Sequence, residues 1–299
     1  MYLVFDIGGT FAKYAIMDQE GSIIKKGKAS SGYTDVNEFK EAIAALIDEN
    51  ISEEIEGIAF SCPGVIDIHE GVIYNGGSFP FLHEFALVKW LEDSYHLPVS
   101  IENDGKAAAL AEVWLGSIKE NKNAVVLVLG SGVGGGLVID GKLYRGSRFS
   151  AGEVSFLTTK YQMETKESTY FGMEGSAVRM VQTIAALNGL DKCADGREVF
   201  SYIKKENQPS WKIFTEYCRN IAVQILNLQY ILDPEVFAIG GGISSQPIVT
   251  EQIQSEIREL IAENSFHKAN PKIVTARFQN DANLYGALYH FLNIGRMAI

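Results

Sequence analysis

Three short glycine-bearing stretches carry residue types suited to gripping a phosphate chain. The first is Asp6-Ile7-Gly8-Gly9-Thr10, with Lys13 shortly after it. Glycine lets main-chain N–H groups approach a ligand with no Cβ in the way, and a run of such amides forms an anion-binding concavity. Thr10 adds a hydroxyl and Lys13 a compensating charge. Asp6 offers an oxygen ligand to Mg2+, directly or through water, since that ion prefers oxygen and keeps several of its waters. The second stretch is Gly130-Ser131-Gly132-Val133-Gly134-Gly135-Gly136. Gly130, Gly132 and Gly135 satisfy G-x-G-x-x-G, but a dinucleotide loop opens a helix, and here Leu137–Ile139 reads as a strand. The protein-kinase version falls too, because neither H-R-D nor D-F-G occurs in the chain. The third stretch, Gly240-Gly241-Gly242, follows the apolar run Val236–Ile239 and suits the close approach of a flat ring or a ribose.

A carboxylate that could work as a base stands in Glu102-Asn103-Asp104-Gly105, ahead of the helix-forming run Lys106-Ala-Ala-Ala-Leu-Ala-Glu. Asp at such a start is favoured as an N-cap for structural reasons alone. In the functional alternative Asp104 is a general base and Asn103 holds substrate beside it. The helix N-terminus favours a carboxylate by about 0.3–1 kcal/mol, so Asp104 should stay ionised at neutral pH. The local sequence leaves cap and base both open. Ala151-Gly152-Glu153 is a small-residue turn that presents one more carboxylate. Asn75–His83, rich in Gly, Phe and Pro, is the kind of loop that lines a pocket.

The elements that must position these residues occur twice. With Gly8 set on Gly130, Asp18 falls on Asp140 without a gap. Phe5–Thr10 then matches Leu127–Gly132, and Ala15–Asp18 matches Leu137–Asp140. A duplicated supersecondary unit is sought before single motifs are read, and two like hairpins imply two related domains that offer phosphate loops to a shared cleft. The polar stretch Gly116–Asn123 is the best linker. Residues 1–117, completed by a closing helix within 281–299, form the expected N-terminal domain, which carries the first phosphate loop. Residues 118–280 form the larger nucleotide-binding domain. Periodicity predicts helices over Asp35–Ile47, Phe85–Tyr95, Glu174–Leu187, Gly196–Lys205, Ser210–Leu232 and Ile248–Ala262. A hairpin is expected about His69-Glu70-Gly71, a glycine turn over Gly130–Gly136 and a polar loop over Lys160–Ser168.

The 299 residues suffice for two domains of ordinary size. A net charge of −11 with no basic run argues against nucleic acid or an anionic membrane as partner. An anionic nucleotide would therefore rely on local amides and a metal ion. Cys62, Cys193 and Cys218 lie far apart, which excludes a C-x-x-C zinc site and a disulfide scaffold and favours burial of all three. No signal-like N-terminus and no apolar run of about 18 residues is present, so a cytoplasmic location is expected.

The ordered set DIGGT(x)2K, ENDxxAAxxAE, a second glycine hairpin, xGEx and AIGGGIS resembles the ROK family of sugar kinases across essentially the whole chain. The resemblance implies an α/β architecture, the duplicated ribonuclease-H-like fold of actin and hexokinase, in two domains with an interdomain cleft. It also implies ATP with Mg2+ as cofactors. Asp6, Gly8, Gly9, Thr10 and Lys13, together with Gly130, Ser131, Gly132, Gly134 and Gly135, would hold phosphates and metal. Gly240, Gly241 and Gly242 would pack on the adenosine. Asp104 would be the catalytic base, and Asn103, Glu153 and the loop bearing Gly77 and Ser78 would bind sugar.

Two departures stand out. The usual G-E-I-G-H and C-x-C-G-x-x-G-C zinc cluster here reads Gly152–Phe156 and Thr169–Gly175 without cysteine, so no zinc site is expected. Phe156 in place of His changes the anomeric side of the pocket and offers an apolar floor for an aglycone. The usual Asn of the loop before the base is replaced around Gly76–Pro80. GGSFPFLHEFAL and RFSAGEVSFL are similar to the beta-glucoside kinases of this family. The resemblance therefore implies phosphorylation of the 6-hydroxyl of a hexose, above all in a beta-glucoside such as cellobiose. Glucokinase, N-acetylmannosamine kinase and a sugar-sensing regulator are the alternatives. The expected partners are a small sugar or glucoside and a second copy of the chain, with neither nucleic acid nor membrane.

Overall fold

The computed structural model describes residues 1–191, 194–264 and 266–294. Cys193 and the last five residues of the expected closing segment lie outside the described residues. The chain divides into two units. One comprises Met1–Lys119, Leu143–Ala151 and the C-terminal segment from Asp281; the other comprises Glu120–Lys142 and Gly152–Asn280.

In the first unit β1 (Tyr2–Ile7), β2 (Phe11–Met17) and β3 (Ile23–Ser30) form an antiparallel meander. After α1 (Val36–Asp48) the chain enters β4 (Gly57–Cys62), parallel to β1. The hairpin β5 (Val65–Asp67) and β6 (Val72–Asn75) then leads to α2 (Leu87–Tyr95). Next come β7 (Val99–Asn103), parallel to β4, and α3 (Asp104–Trp114). The sheet order is β3-β2-β1-β4-β7. Asp35 caps α1 by accepting from the N–H groups of Asn37 and Glu38, satisfying donors that have no intrahelical partner. Phe39, Ile43 and Ile47 recur at helical spacing and are fully buried with Phe5, Phe60 and Ile101.

The second unit repeats the scheme. β8 (Ala124–Leu129), β9 (Val133–Ile139) and β10 (Lys142–Tyr144) form the meander. A hairpin of β11 (Thr158–Gln162) and β12 (Glu167–Tyr170) follows, then α4 (Phe171–Glu174), α5 (Ala177–Leu187), α6 (Gly196–Phe200) and α7 (Gln208–Leu232). β13 (Val236–Gly240) runs parallel to β8, and after α8 (Pro247–Glu263) β14 (Ile273–Thr275) runs parallel to β13. The order β10-β9-β8-β13-β14 reproduces that of the first sheet strand for strand. The last helix, α9 (Ala282–Asn293), returns to the first unit, where Leu284, Ala287 and Leu288 pack on Val4, Ala15, Met17 and Ala59. It covers the face of the first sheet opposite α1.

Four local expectations are corrected. The glycine turn is short: Gly134, Gly135 and Gly136 are strand residues paired with Val128, Leu127 and Val126. Packing accounts for one of them, since a Cβ on Gly135 would stand 2.3 Å from the carbonyl oxygen of Gly152. The polar Lys160–Ser168 segment is mostly the β11–β12 hairpin; its strands are largely exposed on both faces, so they lack the alternation that betrays a half-buried strand. The helix expected over Glu174–Leu187 is interrupted at Gly175, and Ser176 caps α5 by accepting from the N–H of Arg179. The helix expected to reach Lys205 stops at Phe200, where Ser201, Tyr202 and Ile203 turn through bonds to the third residue back.

Candidate active site

At the carboxyl ends of β1, β4 and β7 the first unit gathers most of its expected site residues, the usual place for a site in an open α/β sheet. A Cβ on Gly9 would lie 3.8 Å from Ser78, and one on Gly77 would lie 3.2 Å from the N of Gly64. The Gly64 carbonyl in turn accepts from Asn103 Nδ2 at 2.8 Å. The Gly8–Thr10 loop, the Gly76–Phe79 loop and the β7–α3 junction are thus contiguous. Gly77 has φ +55°, a left-handed conformation that glycine adopts without Cβ strain, and its N–H donates to Asn75 Oδ1.

The cap position belongs to Asn103 rather than Asp104, which corrects the capping alternative. Asn103 Oδ1 accepts from the N–H of Lys106 at 3.0 Å, and Asp104 is the first residue inside the helix. Asp104 Oδ1 accepts from Asn103 Nδ2 at 3.0 Å and from its neighbour's N–H, that of Gly105, at 2.8 Å. Both hydrogens of the Asn103 amide are therefore spent inside the protein, on Gly64 and Asp104. Asp104 is half-buried, and Asn103 is buried. Close by, burial pushes the Cys62 thiol well up, and the charges of Asp6 and Asp104 push it further. Cys62 stays protonated and packs as an apolar group in the core of the first unit.

Asp6 is buried, with Oδ2 taking a bond from Lys13 Nζ at 3.0 Å and Oδ1 one from Asn283 Nδ2 at 2.9 Å. Asn283, from α9, was not legible as a site residue; it lies 277 positions away in sequence. Among the described residues no group of three or more His, Cys, Asp or Glu side chains could hold a metal ion. A single buried carboxylate suits an ion that arrives on a phosphate chain and keeps its waters. Mg2+ fits Asp6 in that sense. Gly9 and Thr10 are exposed, and Gly8 donates its N–H to the Phe11 carbonyl across the turn.

In the second unit Gly130, Ser131 and Gly132 form the corresponding β8–β9 turn, where the Gly130 N–H donates to the Gly132 carbonyl. A cavity of about 660 Å3 opens beside it, lined by Gly130, Val178, Val181, Arg197, Gly242 and Gln246 among others. That volume suits a drug-sized or nucleoside-sized ligand. Gly241, at φ +92°, stands beside the lining residue Gly242, and a Cβ there would stand 2.2 Å from the carbonyl oxygen of Leu129, which also lines the cavity. Gly240 ends β13, while Gly242 begins a short 3-10 turn. Glu153 is half-buried and precedes the 3-10 turn Val154–Phe156. Phe156 itself is 68% exposed, so it is not packed as a floor. No helix among the described residues is long and apolar enough to cross a membrane.

The chain is similar to known proteins over nearly its whole length. The model of the ROK family matches residues 2–293. A beta-glucoside kinase of Listeria monocytogenes is 33% identical over 291 residues, covering 96% of each chain. A beta-glucoside kinase of Klebsiella pneumoniae is 30% identical over 98% of this chain and 96% of its own. The crystal structure of a ROK family protein from Streptococcus pneumoniae in complex with sucrose superposes with a TM-score of 0.86 at 30% identity, covering 99% of both chains.

Proposed function

The chain belongs to the ROK family and is a sugar kinase, and from that premise we propose that it transfers the γ-phosphoryl group of ATP to the 6-hydroxyl of a beta-glucoside such as cellobiose. The observation that carries the reading is the placement of Asp104. It is not needed as the helix cap, yet its carboxylate is held by Asn103 and Gly105 at a strand end beside a phosphate-type loop.

In this reading Asp104 accepts the proton of the acceptor hydroxyl as its oxygen attacks phosphorus in line, and the bond to the β-phosphate oxygen breaks. Asn103 fixes the orientation of that carboxylate. Gly77 and Ser78, with Glu153, bind sugar hydroxyls. Lys13 and the amides of Gly9 and Thr10 neutralise phosphate oxygens, as do those of Ser131 and Gly132, while Gly8, Gly130, Gly134 and Gly135 shape the two hairpins. Gly242 borders the adenosine in the 660 Å3 cavity, and Gly240 and Gly241 precede it at the end of β13. Mg2+, near Asp6, supplies charge neutralisation when bound. Positioning and electrostatics carry most of the rate in phosphoryl transfer.

The preference for a glucoside is supported by the names of the two relatives, each about a third identical to the chain. The test is an ADP-release assay with ATP and Mg2+ over glucose, N-acetylmannosamine, cellobiose and an aryl beta-glucoside. Cellobiose or the aryl glucoside should give the highest kcat/KM. A higher value for either monosaccharide makes the chain a kinase of that sugar, and no sugar-dependent ADP release removes the catalytic reading.

A further inference from the structure

Two residues before the proposed base lies a charge that the reaction does not use. Glu102, on β7, is 1% exposed. A buried carboxylate is tolerated only when it is paired and its lone pairs are satisfied. Distant chain supplies the pairing, and the next residue supplies the other bond. Arg145 donates from Nε and Nη2 to Glu102 Oε2, at 2.9 and 2.6 Å, across 43 residues of sequence. The other oxygen, Oε1, accepts from the backbone N–H of Asn103 at 2.9 Å.

Arg145 lies on Leu143–Ala151, which belongs to the first unit although the chain on either side of it belongs to the second. The segment folds back on itself: the Ala151 N–H donates to the Arg145 carbonyl, and Gly146 turns the chain at φ +73°. On the far side of Glu102 is His290 of α9, also 1% exposed, with Nδ1 3.9 Å from Oε2. Burial holds the His290 imidazole below its ordinary value despite the pull of Glu102, and Arg145 and His69 lower it further. A neutral imidazole does not neutralise Glu102. The Arg145 guanidinium does so with two bonds of fixed geometry, which a lysine ammonium does not reproduce.

We propose that Arg145 is a positioning residue for the phosphoryl-transfer base, clamping Glu102 so that the backbone turn carrying Asn103 and Asp104 is held in one place. The path is short and continuous. Arg145 fixes Glu102, whose Oε1 fixes the Asn103 N–H; the Asn103 side chain then caps α3 and donates to Asp104. Without the guanidinium, Glu102 is an uncompensated buried charge that must rotate, draw in water or take up a proton. Each of these disturbs the oxygen that holds Asn103. The inference rests on Asp104 being the base.

The test measures kcat and both KM values for Arg145→Lys, Arg145→Met and Glu102→Gln/Arg145→Met, with Asp104→Asn as a control. A displacement of about 1 Å at a reacting group costs roughly 10²-fold, so Arg145→Met should lose kcat on that order with the KM for ATP nearly unchanged. Arg145→Lys should fall between it and the wild type. The double variant, which has no unpaired charge, should recover about tenfold over Arg145→Met. A kcat for Arg145→Met close to wild type, a loss confined to KM, or a double variant no better than the single overturns the proposal. If Arg145→Met is not recovered as soluble protein, Arg145→Lys decides: unchanged kcat overturns the clamp. Wild-type kcat in Asp104→Asn instead removes the base reading, which distinguishes the two failures.

Discussion

Gly286 of α9 lies so close to Ala107 of α3 that a Cβ on the glycine would stand 1.7 Å from the Ala107 carbonyl oxygen and 2.3 Å from its carbonyl carbon. The two helices therefore touch backbone to backbone, directly behind the strand end that bears Asn103. The obstacle is main chain, so it cannot be relieved by a rotamer change. Gly286→Ala should push α9 off α3 and open the core of Leu284, Ala287 and Leu288, at a cost of roughly 2–4 kcal/mol, large among point mutants. Chemical denaturation at a common temperature checks it, and a midpoint equal to wild type would show that the helices separate freely.

Asp104→Asn keeps the size of the side chain and removes its basicity. Loss of a positioned general base typically costs 10²–10⁴-fold, and kcat should fall by about that much with the KM for sugar little changed. Steady-state kinetics with the best acceptor read this out, and a near-normal kcat takes Asp104 out of the role.

Gly241→Ala tests the proposal that the cavity beside Gly242 and Leu129 takes the nucleotide. Alanine must adopt φ +92° and would press on the Leu129 carbonyl oxygen, so β8 and β13 have to part at their carboxyl ends. The KM for ATP should rise by roughly tenfold, since about 1.4 kcal/mol of lost binding is a factor of ten. The KM for the sugar should stay close to wild type. Parallel titrations of the two substrates give the comparison, and equal effects on both would point to general unfolding.

His290 makes stability depend on pH. Burial lowers the proton affinity of its imidazole in the folded chain, so below the ordinary value of about 6.5 the unfolded chain binds the proton and the folded chain resists it. The contribution of His290 is thus intact above that value and is lost as the pH falls from there towards the folded value. Melting temperature should drop between pH 7 and pH 5, and His290→Leu should flatten that part of the curve. A variant with the same slope as wild type would assign the acid sensitivity to other groups.

Much of the fold was legible because its signals are local and repeated. The Gly8 and Gly130 turns, each followed ten residues later by an aspartate, expose the duplicated meander, and Phe39, Ile43 and Ile47 expose α1. The polar β11–β12 hairpin was not legible, since strands exposed on both faces carry no period. Within the candidate site, residue type and spacing single out the loop glycines, and leave Asp104 open between cap and base. Asn103 as cap was missed because Asn and Asp are nearly equivalent N-cap residues, and only the bond to Lys106 decides between them. Asn283 on Asp6 and Arg145 on Glu102 are long-range pairings that leave no trace in spacing. Gly135 misled in the opposite sense, because its missing Cβ accommodates the Gly152 backbone.

The interleaved course of the chain limits how this protein can be dissected. The polypeptide passes from one unit to the other after Lys119, Lys142, Ala151 and Asn280. A gene fragment ending at Lys119 would encode a complete five-stranded sheet but neither Arg145 nor α9. Glu102 would be left without its counter-ion and Asp6 without Asn283, with the sheet face under α9 open to water. Such a fragment should be recoverable only when the missing pieces are supplied in trans or rejoined by permutation of the termini.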